Sequence, residues 1–387
     1  MKLPIDLKAV IEAATDIESA RNTPVSVSVL IDDSAPGDAA AHVRSAFVGA
    51  GAHARVTVGY FAGPAFSPYE GDDMAVIVAG FSEEVGRRAA EIRAAGVPVM
   101  VVTSMPRLVA DMASAYGNPI PEGDLVAPEG VEGCEADGDA ACESGEVAGA
   151  HASVFAGIRA AKSAGTGAAA GSSGAAASSP DVSDAPIPID AAAAAALDRR
   201  MGEWVVAACR EKRLALALSF PFVRRPLSLE AVSATSLQNA GIGLVLFIPG
   251  ADMPLMTLNQ AKMLLQIAAA YGEPMSAARA KELAAIVGGA FACRSVARQV
   301  AGALPAIGWA VKAGVGYAGT KAMGLAAVEY FARGGNIAGL AGVVSAATVK
   351  ATQIAGDVAA TPAGARVFLT VKTAVRQGAA SVLKKTE

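Results

Sequence analysis

The stretch Val25–Ile31, VSVSVLI, lies between Pro24 and the acidic pair Asp32-Asp33, and its reading decides the fold of the first half of the chain. Five β-branched or leucine residues in seven, bounded by turn formers, predict a buried strand. Upstream, Asp6–Ala20 reads as a short amphipathic helix. Downstream, a helix over Gly37–Gly49 precedes a second strand, Ala54–Phe61 (ARVTVGYF). Met74–Gly80 (MAVIVAG), a helix over Ser82–Ala95 and Val97–Thr103 (VPVMVVT) continue the alternation. Strands alternating with helices predict an α/β domain, doubly wound about a mostly parallel sheet that is covered on both faces.

In such a fold the turn after the first strand decides whether phosphate can bind. A P-loop, GxxxxGK[ST], wraps phosphates in backbone N–H groups, with a Lys on the terminal ones and a Ser/Thr on magnesium. Here the segment is Asp32-Asp33-Ser34-Ala35-Pro36-Gly37-Asp38-Ala39. It has no Lys and no early glycine, and its three carboxylates would repel phosphate. The loop after the fourth strand reads Thr103-Ser104-Met105-Pro106 where a guanine-reading NKxD would stand. The P-loop is thus lost, and GTP hydrolysis is not expected. A dinucleotide fingerprint is missing as well, since GxGxxG needs three glycines where this turn has one. The pairs Gly49/Gly51 and Gly165/Gly167 fall in a helix end and a linker. No GxSxG, HExxH or His/Asp/Ser set occurs. The acidic pairs Asp72-Asp73 and Glu83-Glu84 are ordinary residues beside a strand and in a helix's first turn. Cys134, Cys142, Cys209 and Cys293 show no CxxC or metal-ligand spacing, and His42, His53 and His151 lie apart from them. No catalytic residue, cofactor site or metal site is therefore assigned.

Net charge is −4, but it is unevenly spread. Met1–Ala196 holds 11 Lys/Arg against 26 Asp/Glu, a net of −15; Leu197–Glu387 holds 21 against 10, a net of +11. A basic, apolar half suits an anionic surface or an acidic partner, or the two halves attract each other. Pro121–Glu146 carries nine acids and no Lys or Arg, and reads as a solvated loop. Ser163–Ala196 is Ala, Gly, Ser and Pro with scattered Asp, a linker whose Ala-rich end starts a helix running to Lys212, with Met201, Trp204, Val205 and Ala208 on one face. These shifts divide the chain into 1–120, the α/β domain; 121–196, the linker; 197–349, an all-α Gly/Ala-rich domain; and 350–387, a basic helical tail. Prolines at 221, 226, 249, 254, 274, 305 and 362 read as helix breaks.

The C-terminal half is most specific over Ile248–Gly272, IPGADMPLMTLNQAKMLLQIAAAYG. A Pro-broken apolar strip leads into a helix with Asn259, Lys262 and Gln266 on one side and Leu258, Leu265 and Ala268 on another, stopped by Gly272 and Pro274. Ile248-Pro249, Ala251-Asp252, Gln260, Met263 and Tyr271-Gly272, followed by Leu304-Pro305, Ile307-Gly308, Thr320, Gly324 and Tyr330-Phe331, resemble the YcjF-type domain, a bacterial family of unknown molecular function found behind Era-like GTPase domains in inner-membrane proteins. The resemblance spans about 197–336 and carries no catalytic motif. It implies membrane association beside a GTPase-like domain, here degenerate.

From Ala306, small residues recur at Ala310, Gly314, Ala318, Ala322 and Ala326, with Gly316, Thr320 and Gly324 in a neighbouring row. Such rows let helices approach closely, in membranes and in soluble Ala-coils alike, and offer a route to a homo-oligomer. Lys312 and Lys321 interrupt the segment, so it would lie in the interface or form a short re-entrant hairpin. The opening MKLPIDLKAVIEAATDIES has no cleavable signal pattern and predicts retention inside the cell.

The reading is a non-enzymatic, membrane-associated adaptor or scaffold at the cytoplasmic face of the cell membrane, peripheral or inserted, with an anionic membrane surface and an unidentified protein as partners. Two alternatives stand beside it: a nucleotide-binding switch with a nonstandard loop at Asp32–Ala39, and a soluble cytoplasmic helical scaffold. Nucleic acid is not an expected partner, because stacking aromatics are sparse and no recognition motif occurs.

Overall fold

The computed structural model describes residues 6–62, 71–128, 185–245, 252–287 and 308–347. Five strands, β1 (Val25–Ile31), β2 (Ala54–Tyr60), β3 (Met74–Val78), β4 (Val99–Val102) and β5 (Leu125–Val126), form one parallel sheet in the order β2-β1-β3-β4-β5. Before β1 runs α1 (Leu7–Arg21); α2 (Gly37–Val48) joins β1 to β2, α3 (Glu84–Ala94) joins β3 to β4, and α4 (Pro106–Ala115) leads towards β5. The chain leaves β1 for β2 on one side while β3 lies on the other. That reversal opens a crevice at the carboxyl ends of β1 and β3, where doubly wound sheets bind ligands.

Both faces of the sheet are buried over β1, β3 and β4, whereas the edge strand β2 is half-exposed. Val25, Val27, Val29 and Ile31 point with Met74, Val76, Val78, Met100 and Val102 to the face that carries Val43 and Phe47 of α2. Leu30, Ala75, Ile77, Val99 and Val101 point to the opposite face, against Val85, Ala89 and Ile92 of α3 and Val109 of α4.

Two elements escape the sequence pattern. β5 falls inside the stretch read as a solvated acidic loop, because two residues are too short to carry a period. Nor does periodicity single out α4, whose Pro106 occupies the first turn and whose Val109 and Ala113 are its buried residues.

The helical part comprises α5 (Ala191–Ala208), α6 (Arg213–Ser219), α7 (Pro221–Val245), α8 (Asp252–Ala270), α9 (277–287), α10 (Gly308–Ala332) and α11 (340–347). The Asp190 carboxylate caps α5, accepting from the Ala193 N–H at 2.8 Å. Leu197, Met201, Trp204 and Val205 of α5 are buried, while Ala208 is exposed and the helix stops before Lys212. Pro221, Pro226 and Pro254 do not break helices. Pro221 opens α7, Pro254 sits in the first turn of α8, where its missing N–H costs little, and α7 runs through Pro226. Gly272, at φ +94°, ends α8 as expected. Pro249, Pro305 and Pro362, and the tail 350–387, lie outside the described residues.

Packing does not follow the charge division at Leu197. α5, α6 and the start of α7 lie on the α2 face of the sheet, sharing its core through Leu197, Met201, Trp204, Leu216 and Phe220. The Phe47 and Phe220 rings meet edge to face at 4.9 Å. Conversely, Val10 and Ala14 of α1 belong to the second core, with Leu264, Leu283, Met323, Phe331 and Leu340 of α8–α11.

The small-residue rows of α10 are unequal. Thr320, Met323, Gly324, Ala327 and Val328 are buried, whereas Ala318, Ala322 and Ala326 are only half-buried. A Cβ on Gly324 would stand 2.4 Å from a methyl of Val232, so this glycine lets α10 close on α7. Among the described residues no helix is long and apolar enough to cross a membrane.

Candidate functional site

The crevice between β1 and β3 is filled from within. Asp32, at the end of β1, is 3% exposed. Its carboxylate accepts from the backbone N–H of Ser34 (3.1 Å), the Ser34 hydroxyl (2.9 Å), and the backbone N–H groups of Gly80 (2.8 Å) and Ser82 (3.2 Å). The Phe81 N–H donates to Ser34 Oγ at 2.7 Å, tying the two loops together. Only glycine fits at position 80: a Cβ there would lie 2.3 Å from the Ser34 carbonyl carbon.

The other two carboxylates of this loop also serve backbone donors. Asp33 accepts from the Ala62 N–H at 2.7 Å. Asp38 accepts from the Ala39 N–H at 2.8 Å and from the Ile189 N–H at 3.0 Å. The Ile187 N–H donates to the Ser104 carbonyl at 2.9 Å. Residues 187–189 therefore run from the end of β4 to the first turn of α2, along the carboxyl edge of the sheet. Ser104 is fully buried, and its hydroxyl finds no partner among the described residues. Sequence reasoning took the three Asp residues as repelling phosphate. It missed that they accept backbone N–H groups, because the long-range donors to Asp32, Gly80 and Ser82, lie 48 and 50 positions away and share no motif with it.

The remaining acidic pairs do not converge on a site. Asp72 is buried against the hydroxyls of Ser26 and Ser28; Asp73 accepts from the Ser26 N–H at 2.9 Å and pairs with Lys212 at 2.7 Å. Both bolt β3 to β1 at the amino end of the sheet, opposite the crevice. Glu84 pairs with Arg88 at 2.8 Å on the same helix, and Glu83 accepts from Tyr116, raising that phenol above its ordinary value. The Cys209 thiol is pushed up to about 12, first by burial and then by the Asp73 charge. Among the described residues no cluster of His, Cys, Asp and Glu could hold a metal.

A cleft of about 540 Å³ opens at the amino end, lined by Glu18, Arg21, His53, Ser219 and Arg224 among others. Its guanidinium groups cap helix ends. Arg21 donates to the Gly272 and Glu273 carbonyls at 3.1 and 3.3 Å, and Arg224 to those of Ala217 and Leu218 at 3.1 and 3.4 Å. The cleft's positive charge is thereby matched by carbonyls at the C-termini of α6 and α8.

In the helical part the structure brings two resemblance positions, Gln260 and Thr320, into one buried node. Thr320 Oγ1 of α10 accepts from Asn239 Nδ2 of α7 at 2.9 Å and from Gln260 Nε2 of α8 at 2.8 Å. Asn239 also donates to the Met256 carbonyl at 3.3 Å and accepts from Asn259 at 3.1 Å. Asn239, Gln260 and Thr320 are each at most 1% exposed. Met263 is in the core, Tyr271 stacks on Phe331 at 6.3 Å, Gly272 ends α8, and Gly324 admits Val232. The Asp252 residue begins α8 and Gly308 begins α10; Pro249 and Pro305 lie outside the described residues. Asn239 was missed, since an isolated Asn in a helix gives no sequence signal. Asn259, Lys262 and Gln266, read as one polar side of α8, line a groove of about 210 Å³ with Gln238 and Thr235 of α7.

Compared with protein-family profiles, curated proteins and solved structures, the chain matches none. Fold and site together define a class in physical terms: a parallel, doubly wound α/β protein in which the Asp32 carboxylate bridges the loops after β1 and β3, with a helical bundle knit by a buried amide–hydroxyl node.

Proposed function

We propose that this chain is a non-enzymatic adaptor or scaffold, in which the α/β part offers a protein-binding surface and the basic, helical part associates with the cytoplasmic leaflet of a membrane. The observation that carries the non-enzymatic part is the crevice: Asp32 takes up the donors of Ser34, Gly80 and Ser82, the groups that phosphate would need. A phosphate entering there would meet a buried carboxylate and find its hydrogen bonds already made. The node around Thr320 points the same way, since its polar groups bond to one another across three helices. The membrane part is supported by the net of +11 over Leu197–Glu387, and by the resemblance to the YcjF-type domain. With no spanning helix among the described residues, a peripheral contact is the favoured form within this proposal.

Membranes carrying the native chain, washed with high salt, then alkaline carbonate, then detergent, test it. Release by salt is the expected result, because an electrostatic contact is screened. Release only by detergent would replace the peripheral contact with insertion. Recovery of all the chain in the soluble fraction would sink the membrane part and leave a cytoplasmic scaffold.

A further inference from the structure

Four donors from two loops converge on one carboxylate at Asp32, and two of the backbone groups, Gly80 N–H and Ser82 N–H, come from residues 48 and 50 positions further along the chain. A local turn explains the Ser34 contacts alone. The long-range pair requires the β3 loop to press against the β1 loop, and Gly80 has no room for a side chain where it does so. The Ser34 hydroxyl completes the arrangement, donating to Asp32 while accepting from the Phe81 N–H. Backbone donors fixed by a sheet and aimed at one buried point are the features of an oxyanion-binding nest. The ligand of this nest is covalently attached.

We propose that the loops Asp32–Ser34 and Gly80–Ser82 form a carboxylate-binding cradle, with the Asp32 side chain as its resident ligand and small free carboxylates as the class that fits when that side chain is removed. The inference rests on the reading that the crevice is filled from within, but its test is separate: nucleotide binding is measured on the native chain, the cradle on variants. Asp32→Ala deletes one carboxylate group, for which formate is the free equivalent. Asp32→Gly deletes a CH₂–carboxylate, for which acetate is the equivalent. Asp32→Asn keeps the shape but sets an amide against the backbone donors and leaves no space for an anion.

The experiment follows thermal unfolding of the full-length variants in sodium formate, acetate, phosphate and chloride at equal ionic strength. A saturable rise in Tm with formate for Asp32→Ala is expected, as is one with acetate for Asp32→Gly. Neither the native chain nor Asp32→Asn should show it. Where a variant fails to fold in chloride, recovery of cooperative unfolding in its matched carboxylate is the expected outcome. Equal behaviour in carboxylate and chloride, loss of folding in both, or a rise with phosphate but not carboxylate would each overturn the cradle.

Discussion

At the scale of single residues, Asp32, Thr320 and His42 show three ways a polar side chain holds this fold. With Asp32→Ala, the Gly80 and Ser82 N–H groups lose their acceptor in a buried place. Hydrogen bonds to a charged group contribute about 1.5–3 kcal/mol each, so a loss of about 3 kcal/mol is expected in denaturant unfolding. Thr320→Val keeps the volume but removes the acceptor shared by Asn239 and Gln260. It should cost about 1–3 kcal/mol, well above what a surface Thr→Val change does.

His42 Nε2 donates to Asp198 at 2.8 Å, joining α2 to α5. That hydrogen bond, helped by the Asp198 charge and opposed by burial, raises the imidazole above its ordinary 6.5. A group whose value is raised in the folded state contributes its full stability below the unfolded value and loses it as pH rises through the folded one. The stability difference between the native chain and His42→Gln, about 0.5–1 kcal/mol near pH 6, should therefore shrink as pH rises towards 8. In Cys209 burial acts in the other direction, raising the thiol and keeping it protonated. Peptide mapping after iodoacetamide treatment of the native protein at pH 8 should find Cys209 unmodified, and modified once the chain is unfolded.

Among the elements, the clearest consequence concerns α7 and α10. Gly324→Ala places a methyl against Val232, a β-branched side chain with little freedom to move, and should cost about 1–3 kcal/mol. Val232→Ala makes room, so the double variant should lose less than the sum of the singles, a coupling read from a double-mutant cycle.

The same pair shows what was legible beforehand. A row of small residues along α10 was plain in the sequence, but not which of two rows packs, because that depends on the partner helix. Strands β3 and β4 were legible because every residue is apolar and buried, and β1 because its five apolar residues are buried between turn formers; β2, a half-exposed edge strand, was legible from its β-branched and aromatic residues. β5 was not, because Leu125-Val126 draws its identity from pairing with Val101 and Val102 and not from its own length. That Asp32–Ala39 lacks the Lys and early Gly of a phosphate loop was legible. The bonding of Asp32 was not, since Gly80 and Ser82 donate to it through backbone atoms that any residue carries.

At the scale of the whole molecule, among the described residues, the core on the α2 face of the sheet and the core of the helical bundle are interlocked by exchange of helices. α1 packs with the C-terminal bundle, and α5 and α6 cover a face of the sheet. The change of charge from −15 to +11 along the chain thus describes surfaces and not folding units. A fragment ending at Asp190 would leave Val27, Val29, Met74 and Val76 without Leu197, Met201 and Phe220 above them. Such a fragment, made alone, should give no cooperative thermal transition, while the full chain gives one.

The proposed adaptor role, with a self-filled crevice, needs Asp32 to stay in place whatever phosphate compounds surround it. The backbone amide resonances of Ser34, Gly80 and Ser82 report on this directly when GTP, GDP or ATP with magnesium is added to millimolar concentration. The account predicts that all three stay where they are. A saturable shift at these three amides would mean that the carboxylate swings out and phosphate enters, and the chain would then be a nucleotide-binding switch.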